Sequence, residues 1–419
     1  MAFQVSVQPS GRSFQVESGE TLLNAGIRQG IGMPYGCKDG ACGSCKCLKL
    51  SGEVSLSPYQ AKALSEQELA QGWVLTCRAQ ALSDVVLESK QVTSAGAHPI
   101  KKMPVRVAAM KQLSHDVMQI TLQLPSTETM AYHAGQYVEF LLRDGSRRAY
   151  SIANAPHTLV AGAPQIELHL RHMPGGKFTD HVFGSMKEKD IQRIEAPYGS
   201  FYLRENSDKP IVLLASGTGF APIKSIIEHA FHTGVKRPLQ LYWGARKRAD
   251  LYMDALPAKW VNEHSNFKYV PVLSEAPASD NWNGRTGLVH QAVMQDLPDL
   301  RDYQVYACGA PAMVEAAHRD FTTRCGLWQS VHSAWRLLML PTPRSERRSM
   351  KSRPHWFDGP VQSTSAPSLK LPPMSCTSLP AGWSAERTGM RRVSWKSPRM
   401  FGTVVEGVMM LDAESVWHW

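Results

Sequence analysis

Four cysteines constrain this chain more than anything else in it. Cys37, Cys42 and Cys45 form a C-x4-C-x2-C array within Tyr35-Gly36-Cys37-Lys38-Asp39-Gly40-Ala41-Cys42-Gly43-Ser44-Cys45-Lys46-Cys47. Cys77, in Leu75-Thr76-Cys77-Arg78, follows after a long gap. Three close thiolates and one distant one is the spacing of a [2Fe–2S] site. The loop needs its glycines. Gly36, Gly40 and Gly43 let the backbone take positive φ and expose amides that can point at cluster sulfur. Zinc is the competing metal, but zinc sites usually pair two short C-x2-4-C units, and here the fourth cysteine stands alone. Cys47, just beyond the array, reads as a buried small side chain.

With 419 residues the chain has room for two or three domains. Its 43% hydrophobic and 20% charged residues are ordinary for a soluble protein. No apolar run approaches the roughly 20 residues of a membrane span. The start, Met1-Ala2-Phe3-Gln4, lacks the basic and apolar regions of a signal peptide. The cysteines are therefore expected to serve metal chemistry in a reducing, cytoplasmic setting rather than disulfides. The formal net charge is +10, yet the first 327 residues contain no dense basic run, so no nucleic-acid partner is expected. A basic surface also suits an acidic protein partner or a phosphorylated substrate.

Residues 1–90 read as a small β-rich domain. Phe3–Val7 and Ser13–Val16 alternate apolar and polar round a turn at Pro9-Ser10-Gly11-Arg12, a hairpin pattern. Thr21–Ile27 reads as a short helix and Ser65-Glu66-Gln67-Glu68 as a capped helix start. Trp73–Cys77 reads as a strand carrying the last cysteine, and Asp84–Glu88 as the closing strand. A polar linker follows, residues 91–102. From 103 to 207 short alternating segments, among them Val105–Val107, Met118–Leu124 and Gln165–Arg171, predict an antiparallel barrel. Three stretches in it stand out: Ala134–Val138, Arg147-Arg148-Ala149-Tyr150-Ser151, and Gly175-Gly176-Lys177-Phe178-Thr179. The last could offer backbone amides to a phosphate at a helix start.

Residues 208–327 change character. Ile211–Ala215 is the continuous apolar run of a central parallel strand. Gly217-Thr218-Gly219 follows, then a helix from Ile223 to His232, an arrangement that receives a dinucleotide pyrophosphate. The spacing is not G-x-G-x-x-G. Further strands are expected at Leu239–Gly244, Tyr269–Val272 and Gln304–Ala307, the last ending in Cys308-Gly309. Alternating strands and helices imply a doubly wound domain with its ligand at the strand C-termini. The whole reads as a multidomain α+β and α/β chain.

In their order these motifs resemble the iron–sulfur flavoprotein reductases of the ferredoxin–NADP reductase superfamily. The first domain resembles a plant-type β-grasp ferredoxin, and the chain is most similar to the CDP-6-deoxy-Δ3,4-glucoseen reductases. Reductase components of benzoate dioxygenase, phenol hydroxylase and methane monooxygenase are also similar. The resemblance covers residues 1–327 and implies a [2Fe–2S] cluster on Cys37, Cys42, Cys45 and Cys77, with FAD and NAD(P)H beside it. It implies that Arg148 contacts flavin phosphate, that Tyr150 packs on the isoalloxazine and that Ser151 bonds near its reactive nitrogen. Gly176 and Thr179 match the flavin-phosphate loop. Gly217, Thr218 and Gly219 match the nicotinamide-nucleotide loop, and Cys308 and Gly309 the turn beside the nicotinamide. Ser151 and Cys308 are thus the expected catalytic pair. Glu275 is read as a solvated loop carboxylate, and Arg246-Lys247-Arg248 leave NADH against NADPH open.

The resemblance also implies a separate electron-accepting enzyme, either a pyridoxamine-phosphate-dependent sugar dehydrase or an oxygenase. The alternative is a non-turnover electron carrier, should the nicotinamide domain be incomplete. That alternative arises from residues 328–419, where the match stops. Seven of the 11 tryptophans lie there, amid Pro, Ser and Arg, without a sustained period. This tail is expected to be irregular, from an altered reading frame, a fusion or a basic extension. The last strand of the nicotinamide sheet is then expected to be missing, leaving an open edge.

Overall fold

A computed structural model describes residues 2–89, 92–94, 98–128, 130–327 and 331–333. All belong to the first of the chain's two units, and the second, residues 340–417, lies outside them. The expectations for the tail beyond residue 333 therefore lie outside the described residues.

The first domain is a β-grasp. Strands β1 (Phe3–Gln8) and β2 (Arg12–Val16) form the predicted hairpin, and α1 (Leu22–Arg28) starts where Thr21 accepts the Asn24 N–H. Then come β3 (Ile31–Gly32), β4 (Lys46–Ser51), β5 (Val54–Leu56), α2 (Glu66–Ala70), β6 (Trp73–Leu75), β7 (Ala79–Ala81) and β8 (Val85–Glu88). The main sheet runs β2-β1-β8-β4-β6, with β1 and β8 parallel. Ser65 and Glu68 make a reciprocal capping box on α2, as their spacing predicts. One expectation needs correction: the strand before the fourth cysteine stops at Leu75, and Cys77 sits in the turn that follows. The turn closes through Arg78 N–H to Leu75 O at 2.9 Å. The linker is not featureless either, since β9 (Thr93–Ser94) pairs back onto β3.

The second domain contains β10 (Lys101–Ser114), β11 (Val117–Gln123), β12 (Tyr137–Leu141), β13 (Arg147–Ser151), β14 (Gln165–Arg171), α3 (Lys177–Gly184) and β15 (Ile191–Tyr198). Its six strands run β13-β12-β15-β10-β11-β14, all antiparallel. The two ends of that order meet: Ile152 bridges Leu168, and Ala153 N–H donates to Glu167 O at 2.7 Å. The sheet thus curls until its two ends touch, round a core of Val105, Ile120, Val138, Phe140, Ile166 and Leu168.

The third domain holds β16 (Ile211–Ser216), α4 (Phe220–His232), β17 (Leu239–Ala245), α5 (Ala255–Glu263), β18 (Phe267–Leu273), β19 (Arg285–Thr286), α6 (Val289–Asp296), β20 (Gln304–Cys308), α7 (Pro311–Arg324) and β21 (Val331–Ser333). The parallel order is β19-β18-β17-β16-β20-β21. Leu213 and Ala215 face one core with α4 and α5, while Val212 and Leu214 face another with α6 and α7. That two-sided burial is why the strand reads as unbroken apolar sequence. Helix α4 starts three residues before the expected Ile223, because Pro222 lies in the first turn, where its missing N–H costs nothing. The missing last strand is likewise corrected: Val331–Ser333 pairs with Val305–Ala307 and covers the edge of β20.

Candidate functional site

The cysteine loop is shaped by backbone that only glycine adopts readily: Gly40 and Gly43 have φ of 79° and 71°. A Cβ on Gly40 would stand 2.8 Å from Tyr59 Cβ and 2.9 Å from Arg78 Cγ, so the loop also lies close against its surroundings there. The four thiols stand in two pairs. Cys37 and Cys42 exchange N–H···Sγ contacts of 3.3 Å in both directions, and the Sγ atoms of Cys45 and Cys77 are 3.2 Å apart. The Ser44 N–H also points at Cys42 Sγ, at 3.4 Å. Among the described residues no three His, Cys, Asp or Glu side chains converge on one ion position. Two thiolate pairs fit a core of two irons, with two ligands for each, better than one tetrahedral zinc. Cys37 is half-buried while Cys42, Cys45 and Cys77 are buried, so the loop meets solvent on the Cys37 side.

The flavin candidates lie on β13 and α3. Tyr150 packs its ring 5.6 Å from Phe178 and 5.9 Å from Phe140, and burial pushes its phenol well above the ordinary range. Arg148 anchors one guanidinium nitrogen on the Arg147 carbonyl at 2.8 Å. Ser151 is the register partner of Tyr137 at the end of β13. The Gly175-Gly176 turn is held from within, since the Thr179 hydroxyl donates to Met173 O at 2.9 Å. A Cβ on Gly176 would stand 2.7 Å from that hydroxyl. Thr179 thus shapes the turn, and the groups left to meet a phosphate are the first N–H groups of α3.

The nicotinamide candidates sit where β16 and β20, adjacent parallel strands, both end. Gly217-Thr218-Gly219 forms a single 3-10 turn before α4, with Gly217 at φ 52°. Trp243 Nε1–H donates to Gly217 O at 3.2 Å, and Ala310 N–H to Ser216 Oγ at 2.9 Å. Cys308 is half-buried at the end of β20, and burial pushes its thiol up to about 12. Glu275 is exposed, as expected for a loop carboxylate. Arg246 pairs with Asp250 at 3.6 Å from an exposed position.

Two polar groups escaped the sequence reading because their members are far apart in the chain. Lys38 of the cysteine loop, Glu139, Arg147, Glu195 and Tyr198 form one ion cluster between the first two domains. Lys224 on α4, 5% exposed, reaches Glu228 at 2.9 Å, Glu167 at 3.3 Å and the Ala153 carbonyl at 3.2 Å, between the barrel and the third domain. No local pattern marks Lys38, and the i,i+4 spacing of Lys224 and Glu228 does not point to Glu167 or to the barrel.

Comparison with known proteins agrees with this layout. Residues 5–82 match the 2Fe-2S iron-sulfur cluster binding domain, 104–202 the oxidoreductase FAD-binding domain, and 213–319 the oxidoreductase NAD-binding domain. The CDP-6-deoxy-L-threo-D-glycero-4-hexulose-3-dehydrase reductase of Yersinia pestis is 40% identical over 321 residues, 77% of this chain and 94% of that protein. The aromatic O-demethylase reductase subunit of an Amycolatopsis species is 37% identical over 329 residues, 77% of this chain and 95% of that one. The crystal structure of Amycolatopsis cytochrome P450 reductase GcoB superposes with a TM-score of 0.67 at 36% identity, covering 79% of this chain and 98% of that one. The chain belongs to the iron–sulfur flavoprotein reductases, enzymes that pass electrons from NAD(P)H through FAD to a [2Fe–2S] cluster.

Proposed function

We propose that the nicotinamide nucleotide binds over Gly217, Thr218, Gly219, Cys308 and Gly309, FAD over Arg148, Tyr150, Ser151 and the start of α3, and the cluster on Cys37, Cys42, Cys45 and Cys77. One observation carries the order: Ser151 pairs with Tyr137, whose hydroxyl donates to the carbonyl of Gly36, the residue before Cys37, at 2.8 Å. Bound FAD takes the electron pair of a hydride and releases electrons singly. The protein holds and orients. Gly219 and Gly309 let the nucleotide loops pack together, Tyr150 offers an apolar face with Phe178 behind it, and Arg148 supplies a cation for phosphate. Cys308 offers a neutral thiol beside the nicotinamide.

Electrons leave for a partner enzyme. The reading best supported is a pyridoxamine-phosphate-dependent sugar dehydrase, given the 40% identity to the Yersinia reductase across 94% of its length. An oxygenase client is the second reading, favoured by the 37% identity to the demethylase subunit. Among the described residues no helix is long and apolar enough to cross a membrane.

The test mixes holoprotein with NADH or NADPH in a stopped-flow spectrometer. Flavin bleaching followed by cluster bleaching is the expected result, and no bleaching with either nucleotide overturns the reading. Cys77→Ser should lose iron and the second phase while keeping the first. Purified dehydrase and oxygenase, each assayed with the reduced chain, separate the two clients.

A further inference from the structure

The loop that carries Cys37 is fastened to the barrel along a short seam. Tyr35 N–H donates to Ser200 Oγ at 3.1 Å, and Ser200 Oγ donates to Tyr35 O at 3.0 Å. Gly199 N–H donates to the Tyr35 hydroxyl at 3.0 Å, and the Tyr137 hydroxyl donates to Gly36 O at 2.8 Å. Lys38, next after Cys37, places Nζ 2.9 Å from Glu139 Oε2 and 3.6 Å from the centre of the Tyr198 ring. Glu139, 5% exposed, also accepts from Arg147 at 2.8 Å. Arg147 pairs in turn with Glu195, which accepts the Tyr198 hydroxyl at 2.8 Å.

The seam touches the strands that carry the flavin candidates. Tyr137 is the register partner of Ser151, and Glu139 is that of Ala149, which lies between Arg148 and Tyr150. A shift of Lys38 against Glu139 therefore changes how Cys37 sits relative to Ser151. The contact is a charge-assisted hydrogen bond backed by a ring face. The Lys38 and Glu139 side chains are only 19% and 7% exposed, so salt screens the pair weakly.

We propose that Lys38 is a positioning residue: it clamps the cluster loop onto the flavin barrel and so sets the rate of electron transfer from flavin to cluster. The inference rests on the assignment of flavin and cluster residues given above. Two electrons arrive with each hydride and cross the seam one at a time: the cluster holds one, passes it to the partner enzyme, and only then takes the second from the flavin. The accompanying proton passes to water. Lys38 can be removed without leaving a bare buried charge, because Glu139 keeps Arg147. The clamp is thereby separable from the fold.

Lys38→Met and Lys38→Arg holoproteins, with rates referred to their iron content, test this. In Lys38→Met the bleaching of flavin by NADH is expected to keep its rate, and cluster bleaching to slow about tenfold, the effect of losing one charge-assisted contact. Lys38→Arg should restore most of the loss. Amide hydrogen exchange, read on the oxidised holoprotein with no nucleotide added, should quicken at residues 35–40 and 199–200 in Lys38→Met. Tyr137→Phe should move exchange and cluster bleaching in the same direction. Unchanged cluster bleaching in Lys38→Met, or an equal slowing in Lys38→Arg, overturns the proposal. A wild-type chain that fails to bleach with either nucleotide overturns the functional assignment instead, while the exchange comparison still reports on the clamp.

Discussion

Gly219 meets Cys308 where there is no room for a side chain: a Cβ on Gly219 would stand 2.1 Å from the Cys308 carbonyl oxygen and 2.6 Å from Gly309 Cα. The reverse holds one residue on, where a Cβ on Gly309, at φ 147°, would stand 2.1 Å from Ser216 Oγ. The loops after β16 and β20 are thus pressed together backbone to backbone. Backbone cannot yield as the tip of a flexible side chain can. Gly219→Ala should push the loops apart, destabilise the protein by about 1–3 kcal/mol and slow flavin bleaching by NAD(P)H about tenfold or more. Flavin and iron content should stay near wild type. Stopped-flow bleaching and thermal unfolding read both effects. Normal bleaching in Gly219→Ala would show that this approach does not shape the nucleotide site.

Cys308 stands in the same junction, and burial pushes its thiol up to about 12. A thiol held that high is neutral throughout the working range, so a nicotinamide bound as proposed would meet a weakly polar S–H and no negative charge. The rate of flavin reduction by NADH should show no break between about pH 6 and 9 that Cys308→Ala removes. Alkylation by iodoacetamide should be slow at pH 8, where an ordinary cysteine with a value near 8.5 reacts readily. A break that disappears in the alanine variant would mean the thiol ionises within reach of the chemistry.

Local pattern and long-range contact divide what was legible. The cysteine array, the capping box Ser65–Glu68 and the apolar run Ile211–Ala215 each encode their outcome within a few residues. All three appear in the structure where the sequence puts them. The same holds for the loops at the ends of β16 and β20, whose approach follows from strand order. Thr179 was legible as part of a Gly-Gly turn but not in what its hydroxyl does there, which is to bond back to Met173 and hold the turn. The long-range contacts of Lys38 and Lys224 were not legible. Lys38 meets Glu139, 101 residues away, and Lys224 meets Glu167, 57 residues away, besides its i,i+4 neighbour Glu228, and a lysine carries no sign of which distant carboxylate it will meet. The strand Val331–Ser333 was missed because it follows a break in the resemblance, though three residues suffice to pair with β20.

The buried group round Lys224 should make stability depend on acid pH. Burial alone would raise the Glu167 carboxyl, but the His169 hydrogen bond at 2.8 Å and the Lys224 charge outweigh it and hold the group at about 2. Glu228 also faces Lys224, and burial raises its carboxyl. Tyr252, bonded to the other ring nitrogen of His169 at 3.0 Å, completes the surroundings. A carboxyl lowered from its unfolded value of about 4.3 contributes stability above that value and loses it as pH falls towards 2. Urea unfolding of the wild type should therefore lose on the order of 2 kcal/mol from this group between about pH 5 and 3. Glu167→Gln should be weaker at pH 7 and flatter over that window. Parallel curves for the two proteins would remove Glu167 from the account.

Lys46 gives the sharpest test of how a buried ion pair supports the cluster loop. It follows Cys45 directly, its side chain is 1% exposed, and its Nζ lies 2.6 Å from Glu68 Oε1. The other Glu68 oxygen accepts the Ser65 N–H at 2.8 Å, so one carboxylate both neutralises the cation and caps α2. Glu68→Ala should strand a buried ammonium and destabilise the first domain by about 3–5 kcal/mol. Faster iron loss in the presence of a chelator would report it. Lys46→Met combined with Glu68→Gln should behave otherwise, because the pair is replaced by an apolar chain and glutamine still serves the capping box. Recovery of iron retention to near wild type in the double variant would assign the loss to the uncompensated charge. A double variant as leaky as Glu68→Ala would assign it instead to something the carboxylate does that an amide cannot.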